Sequence, residues 1–554
     1  MANLYGRQAF LELLADEGVT HLFGNPGTTE LPIMQALPDY PQLRFVLGLQ
    51  EAVVMAMADG FARASGRLTA ANVHVAPGLG NAMGALYNAK FAGSPVILTA
   101  GQQEQGHGLL EPLLYEPLPP MAAPLVKWAV EVTRVQDLPR VMRRAAKVAM
   151  TRPTGPVFIS LPGDILNECA ELDMGTSVRI DERVRPSDEA IGEIARALLA
   201  AKRPMIIAGR EIATHRVFGP AAELASMLGA AVFQEPIWYA ASFPSAHEQY
   251  VGMLTRGQKQ VRATLEPYDL VLCLGADLLR MSVYSPIEPL PEHVKVVHLS
   301  ERPWELGKNY RTDLAIAANI RHTLAALLPA LNAQAGVAYR AEAAERRARI
   351  ALDNWTVRRA RAVESAQSRL AERPMEPAVL MMRLAENLPR EAIIVEEALT
   401  SSVTLPLFAH QHDEGSVFGL ASGGLGFAIP GAVGVSMARP GRPVVAIVGD
   451  GSAMYGIQGL WTAAHFKLPI TYVITNNRSY RIIKERLLAM QGSDRFVGMD
   501  MREPTIDHCM LAQSFGLATT RLTDPADVGP ALKAAIASGA PNLIDIAVAD
   551  GFGA

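Results

Sequence analysis

The chain has 554 residues and a formal net charge of −4, and a chain of this length is expected to form about three to four domains. Hydrophobic residues make up 49% of the sequence and charged residues 19%, which is typical of a globular protein with several packed cores. The basic residues are scattered along the chain, which argues against the basic stripe of a nucleic-acid-binding protein. We therefore expect no nucleic-acid partner.

The three cysteines do not predict a disulfide framework or a zinc site. Cys169, Cys273 and Cys509 are far apart in sequence and odd in number, so we interpret them as small core residues. The N-terminal stretch MANLYGRQAFLELLADEGV has the pattern of an amphipathic helix, not that of a signal peptide. No apolar run reaches membrane-spanning length. We expect a cytoplasmic protein without a membrane partner.

Short apolar runs alternate with longer helical patterns, and this alternation predicts an α/β fold with parallel sheets. Runs such as HLFG, AANVHV and PVILTAG define a first domain at 1–178. The pattern restarts with PMIIAGREI and YDLVLCLGA in a second domain at 185–335, and a third domain spans 374–554. Residues 336–373 are rich in Arg, Ala and Glu and predict a solvated helical connector. The predicted fold class is α/β with three doubly wound parallel-sheet domains.

One apolar run ends in an acidic turn. In VVAIVGDGSAMYGIQGL, residues 444–460, a predicted strand is followed by Gly449, Asp450 and Gly451. Ligands of parallel α/β sheets bind beyond the carboxyl ends of the strands, and glycines allow a ligand to approach the backbone closely. A single helix predicted from Ser452 would offer N–H groups suited to a phosphate. The stretch therefore predicts a ligand site at this sheet edge.

A second apolar run, LPITYVITNN, ends at Asn477, one predicted helix and one predicted strand after Asp450. Gly-Asp-Gly or Asn-Asn alone is typical of a turn. Together, the Asp450 carboxylate, the Asn477 side-chain oxygen and a backbone carbonyl near Ser479 form a set of hard oxygen ligands that suits Mg²⁺ or Ca²⁺. A cation would also remove the repulsion between Asp450 and a diphosphate. The two strand ends predict a metal and diphosphate site.

This pattern resembles the binding motif of thiamine diphosphate-dependent enzymes, in which GDG is followed by NN. The stretches FGNPGTTELPIM at 23–34 and ANVHVAPGLGNAMGALYNAKFAGSPVILTAGQQ at 71–103 closely resemble the N-terminal domain of the benzoylformate decarboxylases. The similarity extends over almost the whole chain, and it is strongest in residues 20–130 and 421–480 and weakest in the middle domain. The resemblance implies a pyrimidine-binding first domain, a middle domain and a pyrophosphate-binding last domain. It also implies thiamine diphosphate with Mg²⁺ or Ca²⁺, and a homodimer with shared active sites that assembles as a tetramer.

The resemblance assigns cofactor contacts on both sides of the predicted site. In isolation, Glu51 in LGLQEAVV is a carboxylate favoured at a helix N-terminus. The resemblance implies that it is the glutamate that bonds the pyrimidine ring and promotes activation of the cofactor. Leu425 in SGGLGFAIPG matches the residue that supports the bent cofactor. Gly424, Ser452 and Tyr480 are further expected cofactor contacts.

The resemblance also implies residues that meet the substrate. Thr28 in GNPGT matches a substrate-binding serine and keeps its hydroxyl group. His74 in NVHVAPG matches the active-site histidine, and an imidazole can exchange protons near neutral pH. A second active-site histidine of the family aligns with Ser282, which cannot replace an imidazole as a proton shuttle. His107 in QGHGLLEP is a candidate to compensate, with an ordinary loop histidine as the alternative.

The segment RIIKERLLAMQ after NNRSY is bulkier and more charged than the family's pocket segment. We expect Ile482 and Ile483 to line and narrow the substrate pocket. Lys484 and Arg486 are interpreted as the solvated face of a helix, or alternatively as charges that meet an anionic substrate. The preference for an aromatic 2-keto acid is therefore left open by these residues.

The resemblance implies non-oxidative decarboxylation of a benzoylformate-like 2-keto acid to an aldehyde and CO2. The alternative is a carboligase or lyase similar to acetolactate synthases, benzaldehyde lyases or 2-hydroxyacyl-CoA lyases, acting on 2-keto acids or aldehydes. Loss of the second histidine favours this alternative, since fewer proton donors leave a carbanion available to a second electrophile. A noncatalytic regulatory subunit is disfavoured by the joint presence of Glu51, Asp450 and Asn477. The middle domain has no convincing glycine-rich nucleotide fingerprint.

Overall fold

A computed structural model describes residues 2–281 and 284–552. It contains three six-stranded sheets and one two-stranded sheet, which confirms the predicted class of three parallel-sheet α/β domains. The chain divides into two compact units. The first unit comprises Met1–Asp181, Ala392–Ser401 and Gly419–Ala554, and the second comprises Glu182–Glu391 and Ser402–Phe418.

The N-terminal sheet belongs to the first unit. The strands of this part of the chain are β1 (Ala2–Tyr5), β2 (His21–Gly24), β3 (Arg44–Leu47), β4 (Thr69–His74), β5 (Val96–Gln102), β6 (Ala129–Glu131), β7 (Val157–Pro162) and β8 (Cys169–Leu172). Six of them form a parallel sheet in the order β3-β2-β4-β5-β7-β6. The strands β1 and β8 form a separate antiparallel pair.

The helices around this sheet are α1 (Gly6–Asp16), α2 (Leu31–Ala36), α3 (Glu51–Ser65), α4 (Val75–Ala92), α5 (Leu118–Ala122), α6 (Leu138–Met150) and α7 (Gly163–Asn167). Apolar faces of α1 and α6 share one buried cluster with the sheet. The predicted N-terminal helix is confirmed as α1, but the prediction is wrong for the four residues before it. They form β1 because their backbone pairs with β8, which the local pattern does not reveal.

The middle sheet lies in the second unit. Its strands are β9 (Pro204–Ala208), β10 (Ala231–Gln234), β11 (Tyr250–Met253), β12 (Leu270–Leu274), β13 (Lys295–Ser300) and β14 (Leu314–Ala317). They are parallel in the order β11-β10-β9-β12-β13-β14. The helices of this unit are α8 (Asp188–Ala200), α9 (Glu211–Thr214), α10 (Phe218–Leu228), α11 (Gln258–Leu265), α12 (Ile320–Gln334), α13 (Val337–Ala351), α14 (Trp355–Gln367), α15 (Pro377–Asn387) and α16 (Leu405–Phe408).

The segment predicted as a solvated connector, residues 336–373, forms α13 and α14. It is helical as predicted, but it is not wholly solvated. The Arg346 side chain is 5% exposed, and its guanidinium donates two hydrogen bonds to the Leu228 carbonyl at 3.1 and 2.8 Å. Trp355 is 1% exposed. The segment therefore packs into the second unit through selected long side chains.

The C-terminal sheet completes the fold. Its strands are β15 (Ile393–Glu397), β16 (Val417–Gly419), β17 (Val444–Gly449), β18 (Ile470–Asn476), β19 (Ala518–Leu522) and β20 (Asn542–Ala547), in the order β16-β15-β17-β18-β20-β19. The helices of this region are α17 (Ala428–Ala438), α18 (Asp450–Ala453), α19 (Gly459–His465), α20 (Arg481–Gln491), α21 (His508–Ser514) and α22 (Pro525–Ala537). The central strands β17 and β18 are almost continuously buried, as expected for a parallel sheet covered on both faces.

Helices α3 and α17 join the N-terminal and C-terminal sheets within the first unit. A Cβ atom added at Gly60 would lie 2.3 Å from the Gly431 carbonyl oxygen, and one added at Gly434 would lie 2.0 Å from the Met57 carbonyl oxygen. Both distances are far below a normal van der Waals contact. Only glycine lets the two backbones approach this closely.

Two further expectations concern membrane association and cysteines. No helix within residues 2–281 and 284–552 is both long enough and apolar enough to span a lipid bilayer. The cysteines are free, and Cys273 and Cys509 are buried as expected. Cys169 is exposed, so its assignment to a core was wrong. It lies on β8, a short strand that pairs with β1.

Buried carboxyl groups lie at the carboxyl edge of the middle sheet. Glu235, 4% exposed, follows β10, and its Oε1 accepts a hydrogen bond from the Arg210 backbone N–H at 2.8 Å. Burial, reinforced by the charge of Asp277, raises the pKa of Glu235 to about 8. Removal of water from a carboxylate is costly even when one hydrogen bond remains.

A second buried carboxyl group, that of Glu211, lies just after the C-terminal end of β9. Glu211 is 2% exposed, and burial followed by the charge of Glu301 raises its pKa to about 8. Its oxygens accept hydrogen bonds from the Ser300 hydroxyl and the Glu301 backbone N–H. The His215 imidazole in turn bonds Glu301 at 2.7 Å. Partners within the second unit therefore satisfy this cluster.

We predict that Glu235 lowers stability as the pH rises. The folded state keeps the proton up to about pH 8, whereas the unfolded chain releases it near the ordinary carboxyl value, so the free energy of unfolding falls by up to about 1.4 kcal/mol per pH unit between them. Glu235→Gln retains an oxygen acceptor for Arg210 and removes the titration. Urea unfolding followed by tryptophan fluorescence at pH 6 and pH 8 should show a smaller loss of stability in this variant.

The matched control is Glu193→Gln, since Glu193 is an exposed residue on α8 of the same unit. Its pH dependence should equal that of the unchanged protein. A Glu235→Gln variant that lost as much stability between pH 6 and pH 8 as the unchanged protein would contradict the prediction.

Candidate active site

A cavity of about 120 Å³ lies at the carboxyl ends of β15, β17 and β18 in the first unit. Ligands of parallel α/β sheets bind at this edge of the sheet. Most residues predicted to contact a cofactor or substrate in the last domain line it. These residues are Leu425, Gly449, Asp450, Gly451, Ser452, Asn477, Ser479, Tyr480, Ile482 and Ile483.

Asp450 follows β17 directly and begins α18. Its side chain is 3% exposed, and its two oxygens accept hydrogen bonds from the backbone N–H groups of Gly451 at 2.9 Å and Arg478 at 2.5 Å. Burial raises the pKa of Asp450 to about 6 in spite of these hydrogen bonds. A cation beside the carboxylate would favour its charged form.

The end of β18 brings Asn477 and Ser479 to the same place. The strands β17 and β18 are parallel neighbours, with Gly449 opposite Thr475, so the predicted convergence of the two strand ends is confirmed. Asn477 Oδ1 accepts a hydrogen bond from the Ser479 backbone N–H at 2.9 Å. Arg478, between them, has φ +56°, which is rare for a residue with a side chain. The chain therefore turns sharply between the two oxygen-bearing residues.

The glycines and the helix after β17 differ partly from expectation. A Cβ atom added at Gly451 would lie 2.6 Å from the Tyr480 ring, whereas one at Gly449 would make only an ordinary contact at 3.5 Å. The single helix predicted from Ser452 is wrong, since α18 and α19 are separated by the turn at 454–458. Gly456 lies in this turn, and glycine is unfavourable inside a helix.

A buried carboxylate that the sequence analysis missed holds the loop carrying Leu425. Glu397, at the end of β15, is 1% exposed and accepts backbone hydrogen bonds from Gly426, Phe427 and Ala428 at 2.6, 2.8 and 2.6 Å. Burial raises the pKa of Glu397 to about 7 against these bonds. Its only sequence signal is an acidic residue at a strand end.

The glycines of the same loop meet different requirements. Gly423 has φ +85° and Gly426 has φ +105°, a left-handed region that favours glycine. The predicted contact residue Gly424 donates a backbone hydrogen bond to Ser422 at 3.1 Å, and it is not among the residues that line the cavity. The loop thus places Leu425, but not Gly424, at the cavity wall.

Glu51 begins α3 and is 9% exposed. Its Oε2 accepts a hydrogen bond from the Asn81 amide at 3.0 Å. A Cβ atom added at Gly78 would lie 3.2 Å from Glu51 Oε1, so glycine leaves room beside the carboxylate. Asn81 was missed because an asparagine within a helical pattern carries no separate signal. Glu51 does not line the cavity formed by the described residues.

The course of α3 and α17 separates Glu51 from the cavity within one chain. The Arg63 guanidinium lies over the Phe427 ring, 4.7 Å from its centroid, and Met57 contacts Gly434. The numbering rises along one helix as it falls along the other, so the helices are antiparallel. Glu51 lies 12 positions before Arg63, which corresponds to about 18 Å along α3. The loop with Leu425 is therefore at the opposite end of the helix pair.

His74 is held by a carboxylate that was also missed. It ends β4, and its Nδ1 lies 2.8 Å from Glu30 Oε2 and 3.1 Å from the Thr29 hydroxyl. Glu30 is fully buried, and its oxygens also accept backbone hydrogen bonds from Gly27 and Gly101 at 2.9 and 2.8 Å. Since a carboxylate accepts, we assign the proton to Nδ1, which leaves Nε2 available for another partner.

The other residues predicted to contact the substrate are less closely connected to His74. Thr28 is exposed and begins the 3-10 helix Thr28–Glu30, and Thr29 is the neighbour that bonds His74. His107 is exposed in the 3-10 helix Gln105–Leu110. Ser282 lies outside the described residues. No described hydrogen bond or ion pair links Thr28 or His107 to His74.

The side chains after Tyr480 have different environments. Ile482 and Ile483 line the cavity. Arg486 is exposed, as expected for a solvated helix face. Lys484 is 3% exposed and ion-paired to Asp500 at 2.7 Å, so its assignment to the solvated face was wrong. Its partner is distant in sequence, and helical periodicity alone does not reveal it.

Comparison with known proteins identifies the family. Residues 4–111, 191–327 and 404–546 match the N-terminal TPP binding, central and C-terminal TPP binding domains of thiamine pyrophosphate enzymes. The chain is 32% identical to benzoylformate decarboxylase of Pseudomonas aeruginosa over 551 residues, which cover 97% of this chain and 98% of that protein. It is 26% identical over 548 residues to the acetolactate synthase isozyme 3 large subunit of Escherichia coli, covering 97% and 93%.

Similarity to a solved structure supports the same family assignment. The thiamine diphosphate-dependent 4-hydroxybenzoylformate decarboxylase of Rhodococcus jostii RHA1 superposes with a TM-score of 0.86 at 30% sequence identity, and the match covers 99% of both chains. The similarity includes all three domains. The chain therefore belongs to the thiamine diphosphate-dependent enzyme family.

Proposed function

We propose that the protein is a thiamine diphosphate- and Mg²⁺-dependent decarboxylase of 2-keto acids, which converts a benzoylformate-like substrate to an aldehyde and CO2. The observation that carries the proposal is the convergence of Asp450, Asn477 and Ser479 at one cavity. The 32% identity to a benzoylformate decarboxylase supports the choice of reaction.

The proposed metal site uses three oxygen atoms. They are a carboxylate oxygen of Asp450, Oδ1 of Asn477 and the backbone carbonyl of Ser479, and Mg²⁺ prefers such hard ligands. The raised pKa of Asp450 supports the fit, because a cation would offset the cost of burying its charge. The metal would also neutralise the diphosphate beside this carboxylate.

Bound thiamine diphosphate supplies the nucleophilic carbon and the electron sink that allow a 2-keto acid to lose CO2. In the proposal, Glu51 forms a hydrogen bond to the pyrimidine ring and thereby promotes cofactor activation. Leu425 would support the cofactor from the cavity wall, where Glu397 holds its loop. Tyr480 and Ser452 line the same cavity, and in the proposal they would contact the cofactor.

We further propose that the active site forms between two copies of the chain. Glu51 and the loop with Leu425 lie at opposite ends of the antiparallel pair α3 and α17, since Glu51 lies about 18 Å along α3 from Arg63, which packs over Phe427. A single chain therefore does not bring Glu51 to its own cavity by this route. In a homodimer, Glu51 of one subunit would complete the cavity of the other, and two dimers would give the expected tetramer.

The proposed substrate contacts are His74 and Thr28. The Glu30 carboxylate fixes Nδ1–H of His74, so Nε2 can bond the substrate and transfer a proton near neutral pH. Ile482 and Ile483 supply apolar surface in the cavity, which suits an aromatic or other apolar substrate side chain. Lys484 already has carboxylate partners, so an additional anionic group on the substrate is disfavoured.

A carboligase remains the second candidate function. The replacement of a family histidine by Ser282 removes one proton donor, and the chain is also similar to an acetolactate synthase large subunit. Incubation with a 2-keto acid in the presence and absence of an acceptor aldehyde separates the two reactions. A carboligase would consume the acceptor and yield a hydroxyketone, whereas the proposed decarboxylase would release free aldehyde without an acceptor.

The first functional test is turnover with thiamine diphosphate and Mg²⁺ against aromatic, branched and small 2-keto acids. We expect CO2 release to be fastest with benzoylformate or a related aromatic acid because Ile482 and Ile483 contribute apolar side chains to the cavity. CO2 and aldehyde should form in equal amounts. Absence of CO2 release across the panel, with the cofactor bound, would refute the decarboxylase assignment.

Glu51→Gln should separate cofactor binding from cofactor activation. The amide keeps the size of the side chain but removes the acid, so we expect turnover to fall by about 10²- to 10⁴-fold with little change in cofactor affinity. Exchange of the C2 proton of the bound cofactor into D2O, followed by NMR, should slow in parallel. The exposed residue Glu171 provides the control Glu171→Gln, and an unchanged exchange rate in Glu51→Gln would remove Glu51 from the mechanism.

A double-mutant cycle tests whether Glu30 acts through His74. We expect His74→Ala to lower kcat by about 10²- to 10⁴-fold. Glu30→Gln should lower it at least about tenfold, because the amide replaces one accepting oxygen by a donating nitrogen and so weakens the hold on Nδ1–H. In the His74→Ala background, Glu30→Gln should cause little further loss. Thermal unfolding of each variant controls for misfolding. An undiminished effect of Glu30→Gln in that background would contradict this role.

A further inference from the structure

Lys484 is a buried cation between two carboxylates. It lies on α20, the helix that follows the predicted metal-ligating segment. Its side chain is 3% exposed, and Nζ lies 2.7 Å from Asp500 Oδ1 and 3.5 Å from Asp550 Oδ2. A buried charge is costly unless it is paired. The two ion pairs therefore hold Asp500 and Asp550 close to Lys484.

Arg502 extends this pair into a network. Its guanidinium lies 2.6 Å from Asp550 Oδ2 and 3.4 Å from Asp500 Oδ1. The network therefore contains two cations and two carboxylates in alternation. Lys484 and Asp550 are 3% and 8% exposed, whereas Asp500 and Arg502 are 39% and 36% exposed. Removing Lys484 would therefore cost most at the buried Asp550 carboxylate, which would lose one of its cationic partners.

Two aromatic rings surround the same ammonium group. Nζ of Lys484 lies 5.3 Å from the centroid of Phe496 and 5.8 Å from that of Phe552. The two rings contact each other edge to face, with 5.0 Å between centroids. Cation–π attraction adds to the ion pairs. One side chain of α20 thus contacts both the loop at 492–505 and the C-terminal residues 549–552.

The loop at 492–505, called here the capping loop, pairs directly with the predicted ligand segment. The Tyr480 backbone N–H donates to the Met499 carbonyl at 2.8 Å, and the Met501 N–H donates to the Arg478 carbonyl at 2.8 Å. These bonds form an antiparallel bridge between Ser479 and the loop residue Asp500. Asp500 therefore receives the Lys484 ion pair and lies opposite Ser479.

We propose that Lys484 is a positioning residue that fastens the capping loop and the C-terminal residues 549–552 against α20 and thereby holds Ser479 in its metal-binding arrangement. The inference rests on the proposed Mg²⁺ site. Lys484 acts through Asp500 and the antiparallel pairing, and it contacts neither metal nor substrate. The charge of Lys484 therefore acts on the geometry of the proposed metal site and not on the metal or the substrate directly.

Lys484→Met is the principal test because methionine retains an unbranched apolar stem and removes the charge. Hydrogen–deuterium exchange of the whole protein should rise in the capping loop and in residues 549–552. The Mg²⁺ dissociation constant, measured by calorimetry with thiamine diphosphate present, should rise about 10- to 100-fold, as for loss of other outer contacts of metal sites. Lys484→Arg should preserve both properties to a large extent.

Two further variants test separately how the capping loop and how residues 549–552 are held against α20. Asp500→Asn should increase exchange in the capping loop and weaken Mg²⁺ binding while residues 549–552 stay protected by Asp550. Asp550→Asn should increase exchange chiefly in residues 549–552. The matched control is Arg486→Met, two positions along the same helix at an exposed residue, and it should leave exchange and Mg²⁺ affinity unchanged.

Unchanged exchange in Lys484→Met would overturn the proposed attachment. Increased exchange with unchanged Mg²⁺ affinity would overturn the link to the metal site and leave Lys484 a stabilising residue alone. If the unchanged protein bound no Mg²⁺, the proposed metal site would fail and this inference would fail with it. The exchange data would then still report separately whether Lys484 holds the two segments.

Discussion

Direct backbone contact between α3 and α17 sets the relation between the two halves of the predicted site. Gly60 and Gly434 leave no space for a Cβ atom at the crossing, so a larger side chain at either position would push the helices apart. The antiparallel course of the pair places Glu51 at one end and the loop with Leu425 at the other. This packing is the observation behind our proposal that two copies of the chain assemble to form the active site.

Buried carboxylates around the site differ in the number of protein donors that they meet. Glu397 accepts three backbone hydrogen bonds, and Glu30 contacts two backbone N–H groups, Thr29 and His74. Carboxylates with three or four protein donors are suited to holding loops and side chains in place. Asp450 accepts two backbone bonds from its sequence neighbour and Arg478. An ionised carboxylate has about four acceptor positions, which leaves Asp450 with capacity for a cation.

Sequence patterns predicted the central strands because parallel strands buried on both faces form continuous apolar runs. The strands β17 and β18 are examples, and their neighbouring ends explain why the GDG and NN motifs located the cavity. The edge strand β19 was missed because most of its residues are not buried. Glu30, Glu397 and the partners of Lys484 were missed because their contacts join segments distant in sequence. Local periodicity reports the exposed or buried face of an element and does not report such partners.

A crystal structure with thiamine diphosphate and Mn²⁺, in which anomalous scattering locates the metal, would show directly which residues bind the metal and the cofactor. The account predicts one manganese ion in the cavity, bound by the Asp450 carboxylate, Asn477 Oδ1 and the Ser479 carbonyl, with the diphosphate as a further ligand. It also predicts Glu51 of a second subunit at the pyrimidine ring. A manganese ion bound elsewhere, or a cofactor bound without any of these three oxygen ligands, would contradict the account.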